Sequence, residues 1–463
     1  MPQLRIFAMK NNSTFSILSE ISPINLEIKL LLKIIAYFCK NFQWQMKEVQ
    51  RTDYIQWLDR KKGNGLVKII TGVRRCGKSY LLFTLFKRHL LEQGIGEDHI
   101  VALALDDFAN RQYQDADALY NYVKSRITDD DQYYVLLDEI QLVTGFEAVL
   151  NGFLHIPNID IYVTGSNSKF LSSDIVTEFR GRGDEIRVYP FSFAEVHEIF
   201  EGDKHRAWSA YCRYGGMPLV WAASTSQDRE QYLKNLFEQV YISDIINRHD
   251  LRGKSEIGYI VNILASSVGS LTNPLRLTNT FKSEMGLSIS QNTVNSYIEY
   301  LVDSFLIGKV NRYDVKGLRY ISSPLKYYFT DVGLRNARLN FRQQDNSHIM
   351  ENIIYNELLR RRFSVDVGCV TVNVKAENGK MVRKQLEVDF VANSGDKRYY
   401  IQSAFNVPTI EKREQEERSL LNINDSFKKI IVQQSIVEPW HSQQGVLYIG
   451  IVDFLLNAES VDL

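Results

Sequence analysis

Five short runs of apolar residues alternate with stretches of helical spacing in the first half of the chain. The runs are 66–71, 100–105, 133–137, 159–163 and 185–189. Their β-branched and aromatic residues are typical of strands, and an apolar helical stretch, 80–90, follows the first of them. Short apolar strands that alternate with helices predict an α/β fold, with a parallel sheet covered by helices on both faces.

The first strand leads into a glycine-containing turn with the spacing of a phosphate-binding loop. Gly72 is followed by four residues and then by Gly77, Lys78 and Ser79, and the apolar helix begins directly afterwards. The alternative is a glycine turn with an unrelated lysine, but the strand before it and the helix after it give the motif the context of nucleotide binding.

Each position of this motif has a chemical reason. The glycines let backbone N–H groups turn toward phosphate oxygens, and the helix N-terminus adds partial positive charge. Lys78 reaches the β- and γ-phosphates, and the Ser79 hydroxyl can bind Mg²⁺. We therefore expect ATP and Mg²⁺ as cofactors. The residues expected to contact ATP are Gly72, Arg75, Cys76, Gly77, Lys78, Ser79 and Tyr80.

Two carboxylates follow the third strand directly, Asp138 and Glu139. Ligands of parallel sheets bind at the carboxyl ends of the strands, so these residues should meet the phosphate-binding loop. Asp138 can hold Mg²⁺ through its water shell, and Glu139 can orient or deprotonate the attacking water. The alternative is that both only cap the next helix. Ser166 or Asn167 can position the same water, although both are also common turn residues.

The loop before the fifth strand contains arginines flanked by glycines, at 180–183. Arg182 in such a loop suits an arginine finger that meets negative charge developing on the γ-phosphate. A solvated basic turn explains the same residues equally well, and the sequence leaves both interpretations open.

Charge and cysteine content narrow the classes of partner and compartment. The 463 residues include 55 basic and 55 acidic side chains, so any surface for nucleic acid must be local. The four cysteines lie far apart without a C-x-x-C pair. This excludes a zinc pattern or a disulfide framework and predicts a reducing, cytoplasmic compartment.

Residues 1–45 contain an apolar stretch, 21–39, which Glu27, Lys29 and Lys33 interrupt. No small-residue cleavage site follows, so we expect neither a membrane span nor a signal peptide. Two interpretations remain: a partly amphipathic helix, or a translation start at Met46. The ordinary polar segment that begins at Met46 favours the second.

Four of these segments together resemble the prokaryotic AAA-like P-loop ATPases. They are 72–79, 135–139, 164–166 and 181–182. In that family the ATPase domain is followed by a winged helix and a restriction-endonuclease-like domain of unknown function. The resemblance covers about Met46 to the C-terminus, and it implies an ATPase domain at 46–204, a helical and winged-helix domain at 205–335 and a nuclease-like domain at 346–463.

The resemblance also implies details of the ATPase domain. The strand that ends near Thr164 should lie between the strand before the P-loop and the strand before Asp138. ATP hydrolysis should be assisted by Glu139 and by an arginine near Arg182.

The sequence of the second region, 205–335, predicts helices followed by a basic hairpin, as in a winged helix-turn-helix. One apolar helical face is formed by Val294, Ile298, Leu301, Val302 and Phe305, and Ser288 and Ser290 offer N-caps. The hairpin, 307–329, carries Lys309, Arg312, Lys316, Arg319 and Lys326. The polar face of the expected recognition helix, formed by Gln291, Asn292, Asn295, Ser296 and Glu299, has no basic residue. Phosphate contacts would therefore fall to the hairpin, and binding of duplex DNA or of protein remains open.

The last region resembles a restriction-type nuclease with an incomplete site. Glu351 and Asp389 match the first two carboxylate positions, but 402–404 is Gln-Ser-Ala where Glu-x-Lys is expected. Loss of the carboxylate weakens metal binding, and loss of the lysine removes a cation that stabilises the transition state. We expect an inactive nuclease fold, with Lys412 or Arg413 as the alternative source of the missing cation.

The sequence thus predicts a Mg²⁺-dependent ATPase whose turnover drives a conformational change, since neither other region shows a complete active site. Action on nucleic acid is favoured by the basic hairpin and the nuclease resemblance. A signalling or assembly ATPase that binds protein or its own copies is favoured by the zero net charge and the acidic residue on the recognition helix.

Overall fold

A computed structural model describes residues 47–165, 181–249, 251, 254–286, 288–342, 345–375, 380–407, 409–435 and 438–463. The predictions for residues 1–45, Ser166, Asn167 and Arg180 lie outside these ranges. The elements below all belong to one compact unit, Val49–Leu463.

Five parallel strands form the first sheet, in the order β2-β3-β4-β1-β5. Their bounds are β1 Val67–Thr71, β2 Ile100–Ala104, β3 Tyr133–Asp138, β4 Ile159–Thr164 and β5 Gly183–Arg187. Each lies within two residues of its predicted run. The inner strands β1, β3 and β4 are almost wholly buried and therefore mainly apolar in sequence. The predicted place of β4, between β1 and β3, is confirmed.

Helices cover both faces of this sheet. They are α1 Thr52–Arg60, α2 (Lys78–Tyr80, the π-helical Leu81–Phe86 and Lys87–Glu92), α3 Ala116–Arg126, α4 Phe146–Phe153 and α5 Phe193–Ile199. On one face α3 and α4 contribute to a core with the strands, which includes Leu119, Leu137, Leu150 and Val163. Helix α2 begins directly behind Gly77, as the 80–90 spacing predicts.

Five helices follow. They are α6 Lys204–Tyr214, α7 (Ser226–Asn235, the π-helical Leu236–Ile242 and Ser243–Arg248), α8 Lys254–Ser266, α9 Pro274–Met285 and α10 Gln291–Asp303. At the start of α10 the Ser290 hydroxyl accepts a hydrogen bond from the Thr293 N–H at 3.0 Å, so Ser290 is the N-cap of the two predicted candidates. Val294, Ile298 and Leu301 of the predicted apolar face are buried, whereas Val302 is half-buried and Phe305 lies beyond the end of the helix.

An eight-stranded mixed sheet contains the rest of the chain, in the order β12-β13-β11-β10-β9-β8-β6-β7. Its strands are β6 Ile307–Asp314, β7 Arg319–Phe329, β8 Ser364–Lys375, β9 Met381–Ser394, β10 Lys397–Ala404, β11 Lys428–Gln433, β12 Trp440–His441 and β13 Leu447–Gly450. Helices α11 Val332–Arg338, α12 Asn346–Arg360, α13 Ile410–Leu421 and α14 Ile451–Leu456 flank it. The β6–β7 hairpin, expected as a separate wing, pairs with β8 and so extends this sheet.

Two further expectations concern disulfide bonds and membrane-spanning helices. Among the described cysteines, Cys76, Cys212 and Cys369 are free thiols. Within the described ranges, no helix combines the length and the hydropathy that crossing a bilayer requires.

Candidate functional site

The carboxyl ends of β1, β3 and β4 bring the phosphate-binding loop and the predicted acidic residues to one edge of the sheet. The loop requires its glycines: Gly72 has φ 140° and Gly77 has φ 98°, both in the left-handed half of conformational space. A Cβ on Gly72 would approach the Val188 carbonyl oxygen to 2.2 Å. The backbone therefore curls at this point in a way that other residues would not allow.

The Lys78 ammonium lies inside this loop. Its Nζ donates hydrogen bonds to the Gly72 carbonyl at 3.0 Å and the Val73 carbonyl at 3.3 Å, and the side chain is buried. A cation enclosed by a ring of backbone is the arrangement that fits an anionic phosphate chain.

Asp138 ends β3 and is joined to the loop by hydrogen bonds. Burial raises the pKa of Asp138, and hydrogen bonds from the Thr164 and Ser79 hydroxyls act in the opposite direction. The Thr164 hydroxyl also accepts a hydrogen bond from the Glu139 N–H at 3.1 Å. Ser79 and Asp138, which the sequence predicts as Mg²⁺ ligands, are thus in contact, and their hard oxygen atoms suit that ion.

Glu139 has a backbone conformation that is uncommon for a residue with a side chain, φ 53° and ψ 45°. Its carboxylate accepts a hydrogen bond from the Gln141 side-chain amide. The 3₁₀ turn Ile140–Leu142 that follows has no side-chain cap in the described structure, so capping does not explain this acid. Strained residues of this kind are concentrated at functional sites.

The other predicted ATP contacts differ in their surroundings. Arg75 and Tyr80 are exposed at the rim of the loop, whereas Cys76 is buried and its thiol contacts the Val188 carbonyl at 3.4 Å. These positions leave Arg75 and Tyr80 accessible to a ligand and place the Cys76 side chain behind the loop.

Arg182 lies at the opposite edge of the sheet. The neighbouring Gly183 pairs with Val67, at the amino end of β1, which is roughly 13 Å along the strand from the phosphate-binding loop. Arg182 itself donates to the Asn151 side chain at 3.4 Å. The structure therefore does not bring Arg182 to Lys78 or Glu139 of the same chain.

Sequence reasoning assigned no role to Thr164, which connects Asp138 and Glu139. It also missed two side chains that hold the phosphate-binding loop from outside, Arg51 and Tyr241. A buried arginine before α1 has no local sequence signal, and the contact of Tyr241 depends on tertiary packing.

A second polar cluster lies in the eight-stranded sheet, around Lys326 of β7. Its buried Nζ is 2.8 Å from Glu351, 2.8 Å from Glu387 and 3.5 Å from Asp389. Burial alone would lower the pKa of Lys326, but the three carboxylates together raise it. A lysine of the hairpin therefore lies among the acids of the region that was predicted to resemble a nuclease.

The residues at the incomplete third position also contact this cluster. The Ser403 N–H donates to Asp389 at 2.9 Å, and the Asp389 N–H donates to Gln402 at 3.4 Å. The alternative cations are engaged elsewhere: Lys412 pairs with Glu416 at 2.7 Å, and the Arg413 guanidinium lies 5.1 Å from the Trp440 ring centroid.

The hairpin is less basic at its surface than its sequence suggests. Arg312 and Lys326 are buried, and Lys309 pairs with Glu299 of α10 at 2.8 Å. Lys316 and Arg319 are exposed at the tip. Because the hairpin is part of a sheet, the two buried cations, Arg312 and Lys326, are not available for the predicted phosphate contacts.

Two family models match the chain. An AAA domain matches residues 64–197, and a domain of unknown function (DUF8612) matches residues 205–345. The first match contains the phosphate-binding loop, Asp138 and Glu139, which supports ATP as the ligand of this edge of the sheet.

The chain also resembles individual proteins. It is 33% identical over 415 residues to an uncharacterized protein of Haemophilus influenzae, covering 88% of this chain and 99% of that protein. An uncharacterized protein of Methanocaldococcus jannaschii is 27% identical over 363 residues, which cover 75% of this chain and 76% of the relative.

A solved structure, the Aeropyrum pernix ORC1 protein in complex with DNA, is 11% identical with a TM-score of 0.26, covering 64% of this chain and 93% of that one. A match of this size shows neither fold nor function. The two sequence relatives have no assigned activity. The chain belongs to the family of the uncharacterized Haemophilus influenzae protein, with an AAA domain followed by a domain of unknown function.

Proposed function

We propose that the protein binds ATP with Mg²⁺ and hydrolyses it. The observation that carries this proposal is the meeting of Lys78, Ser79, Asp138 and Glu139 at the carboxyl edge of one parallel sheet. Lys78 and the N–H groups of the loop bind phosphate oxygens, and Ser79 and Asp138 hold the metal. Mg²⁺, when bound, supplies positive charge to the β- and γ-phosphates.

Glu139 is the residue proposed to orient the attacking water and accept its proton. Thr164 fixes the Glu139 backbone through one hydroxyl that also contacts Asp138, so the metal-binding acid and the base keep a constant spacing. Asn167 remains a proposed partner for the same water. Arg182 is proposed as a finger only for the site of a neighbouring copy, because it lies far from the loop of its own chain.

Three variants test this function. Lys78→Ala should abolish ATP binding because it removes the cation inside the loop, and Glu139→Gln should bind ATP while its hydrolysis falls by about 100-fold or more. Glu92→Gln, an exposed acid at the end of α2, is the matched control and should hydrolyse ATP like the wild type. Binding is measured with a fluorescent ATP analogue and turnover by phosphate release. Equal hydrolysis by Glu139→Gln and Glu92→Gln would refute the role of the base.

We assign helices α8–α10 and the β6–β7 hairpin to a winged helix, and α12 with β8–β11 to a nuclease-like fold without nuclease activity. A bridge between Thr272 and Leu325, which ties the segment before α9 to the hairpin, supports the first assignment. The placement of Glu351 and Asp389 in one cluster supports the second. ATP turnover would then change the position of regions that themselves bind a partner.

A second candidate function is contact with nucleic acid by the exposed end of the eight-stranded sheet. Lys316 and Arg319 at the hairpin tip, and Arg383 and Lys384 on β9, are exposed, and Lys316 reaches the Thr371 carbonyl on the strand between them at 3.3 Å. Exposed cations within one end of a sheet fit a phosphate backbone.

Fluorescence anisotropy with labelled duplex DNA tests this second function. Lys316→Glu with Arg383→Glu should weaken binding and lower its salt dependence, whereas Lys397→Glu, an exposed lysine on β10, should not. If the double variant binds duplex DNA as tightly as Lys397→Glu does, DNA contact at this surface is refuted, and the proposed ATPase acts on a protein partner instead.

A further inference from the structure

Two carbonyl groups of the phosphate-binding loop are held from outside by side chains that do not belong to the five-stranded sheet. The Tyr241 hydroxyl, on α7, donates to the Arg74 carbonyl at 2.6 Å. The Arg51 guanidinium, just before α1, donates through Nη1 to the Cys76 carbonyl at 3.1 Å. Both side chains are buried, so these hydrogen bonds are protected from competition by water.

Arg51 is fixed by more contacts than a solvent-facing arginine would have. Its guanidinium makes two hydrogen bonds to Glu195, at 3.0 and 3.2 Å, and a third to the Tyr189 carbonyl at 2.7 Å. The rings of Tyr54 and Phe191 lie 4.8 and 5.0 Å from it. A planar donor group with this many partners has one orientation, and that orientation sets the position of the Cys76 carbonyl.

Because of the geometry of the peptide bond, these two contacts also determine where the N–H groups of the same peptides point. A trans peptide is planar, so its C=O and N–H groups point in opposite directions. A carbonyl of Cys76 held toward Arg51 therefore directs the Gly77 N–H away from Arg51. In the same way, the Arg74 carbonyl held by Tyr241 directs the Arg75 N–H away from α7.

We infer that Arg51 and Tyr241 are positioning residues that aim the Gly77 and Arg75 N–H groups at the phosphates of ATP. The inference rests on the proposed function, because it concerns the same loop. Neither residue contacts ATP directly. Each holds the C=O group of a peptide whose N–H group faces the phosphates. Free rotation of either peptide would turn a carbonyl oxygen toward the phosphates, and two negative groups would then face each other.

The two positioning residues come from parts of the chain that have other attachments. Near Tyr241, Asp244 pairs with Arg74 at 3.2 Å, which ties α7 to the loop a second time. Near Arg51, Asp53 pairs with Arg360 of α12 at 3.1 Å. Because Tyr241 and Asp244 both belong to α7, a partner that shifts α7 would change the affinity for ATP.

Variants that remove only the positioning contact test the inference. Tyr241→Phe deletes one oxygen, and Arg51→Lys keeps the charge but loses the planar fork. We expect each to weaken ATP and ADP binding by at least about tenfold, since a hydrogen bond to a charged group is lost or misaligned. AMP, which lacks the β- and γ-phosphates, should bind as it does to the wild type. This difference between nucleotides is a readout that a loss of stability alone would not produce.

Matched controls separate positioning from folding. Tyr400→Phe removes a hydroxyl that donates to Asp425 at the same 2.6 Å, from a ring that is also buried, in β10. Arg335→Lys replaces a buried arginine that donates to the Ala265 carbonyl at 2.8 Å. Both should lower the melting temperature without changing the dissociation constant for ATP.

Each outcome has one meaning. ATP binding by Tyr241→Phe as tight as by Tyr400→Phe, together with lost binding in Lys78→Ala, would overturn the inference and leave the proposed function intact. Absence of ATP binding by the wild type would overturn the proposed function and this inference with it. If Arg51→Lys fails to fold, Tyr241→Phe and its control still decide the result.

Discussion

Lys326 is the cation whose removal should have the largest effect on the eight-stranded sheet. Its buried ammonium lies 2.8 Å from Glu351, 2.8 Å from Glu387 and 3.5 Å from Asp389. Lys326→Met keeps the length and apolar stem of the side chain and removes the charge. The carboxyl groups would then face one another without the lysine, and two of them, Glu351 and Asp389, are largely buried.

The size of the effect follows from burial. Removal of one partner from a buried ion pair typically costs about 3–5 kcal/mol, because the remaining charge is left uncompensated. The same strand pair offers a matched control: Lys309 of β6 pairs with Glu299 at the same 2.8 Å distance, but both side chains are largely exposed. An exposed pair contributes about 1 kcal/mol or less, so Lys309→Met should be nearly neutral.

Urea unfolding at pH 7, followed by circular dichroism, measures both variants. We expect the midpoint of Lys326→Met to fall by at least three times as much as that of Lys309→Met. Mn²⁺ should restore part of the loss in Lys326→Met and none in Lys309→Met, since three carboxylates without a lysine offer oxygen ligands to a divalent ion. Equal shifts in the two variants would refute the reasoning, because burial would then not decide the energy of the pair.

Three further predictions concern other sites. Thr164→Val removes the hydroxyl that accepts from the Glu139 N–H and should reduce the turnover number for ATP by roughly 10-fold or more, whereas Thr164→Ser should retain activity. Equal rates in the two variants would exclude a role for the hydroxyl. Burial raises the pKa of the Asp331 carboxyl to about 6, so the folded state binds this proton more tightly than the unfolded state does. The protein therefore gains stability at low pH, and this gain is lost as the pH rises through 6. Between pH 7 and pH 5 the wild type should gain about 1.3 kcal/mol relative to Asp331→Asn, and parallel pH profiles in urea unfolding would contradict this. With Lys326 in the cluster, the wild type should not cleave plasmid or single-stranded DNA in Mg²⁺ or Mn²⁺, and cleavage that Asp389→Ala removes but Lys78→Ala preserves would show a working nuclease.

The five-stranded sheet could be predicted closely because its signals are local. Every residue of β1 and β3 is buried, and each strand is mainly apolar in the sequence, although the buried Lys68 interrupts β1. Gly72 and Gly77 are likewise required by backbone conformation, which the spacing of the motif records. The order of the strands came from the family resemblance, since apolar runs alone do not specify which strands are neighbours.

Long-range pairing was harder to predict. Helix α11 and the start of α12 separate Lys326 from Glu351, and nothing near Lys326 in the sequence indicates that its side chain faces three acids. The pairing of β6 with β8 had the same difficulty, because β7, α11 and α12 lie between these strands in the sequence. Arg182 is an example of a local signal that the tertiary structure does not support. Its glycine-flanked loop suits an arginine finger, but the register of β5 with β1 places Arg182 at the edge of the sheet opposite the phosphate-binding loop.

The region between the two sheets is connected too tightly to act as a passive linker. Asp331 directly follows the hairpin that carries Lys326, and it accepts a hydrogen bond from the Gly216 N–H at 2.6 Å. Gly216 and Gly333 lie where a Cβ would come within 2.0 Å of the Phe191 and Tyr214 carbonyl oxygens, so the backbones are in close contact. Close-packed contacts of this kind do not deform gradually. A movement of the segment 214–216 that ATP binding caused would therefore have to move Asp331 and the end of the hairpin with it, and the eight-stranded sheet would then respond to ATP.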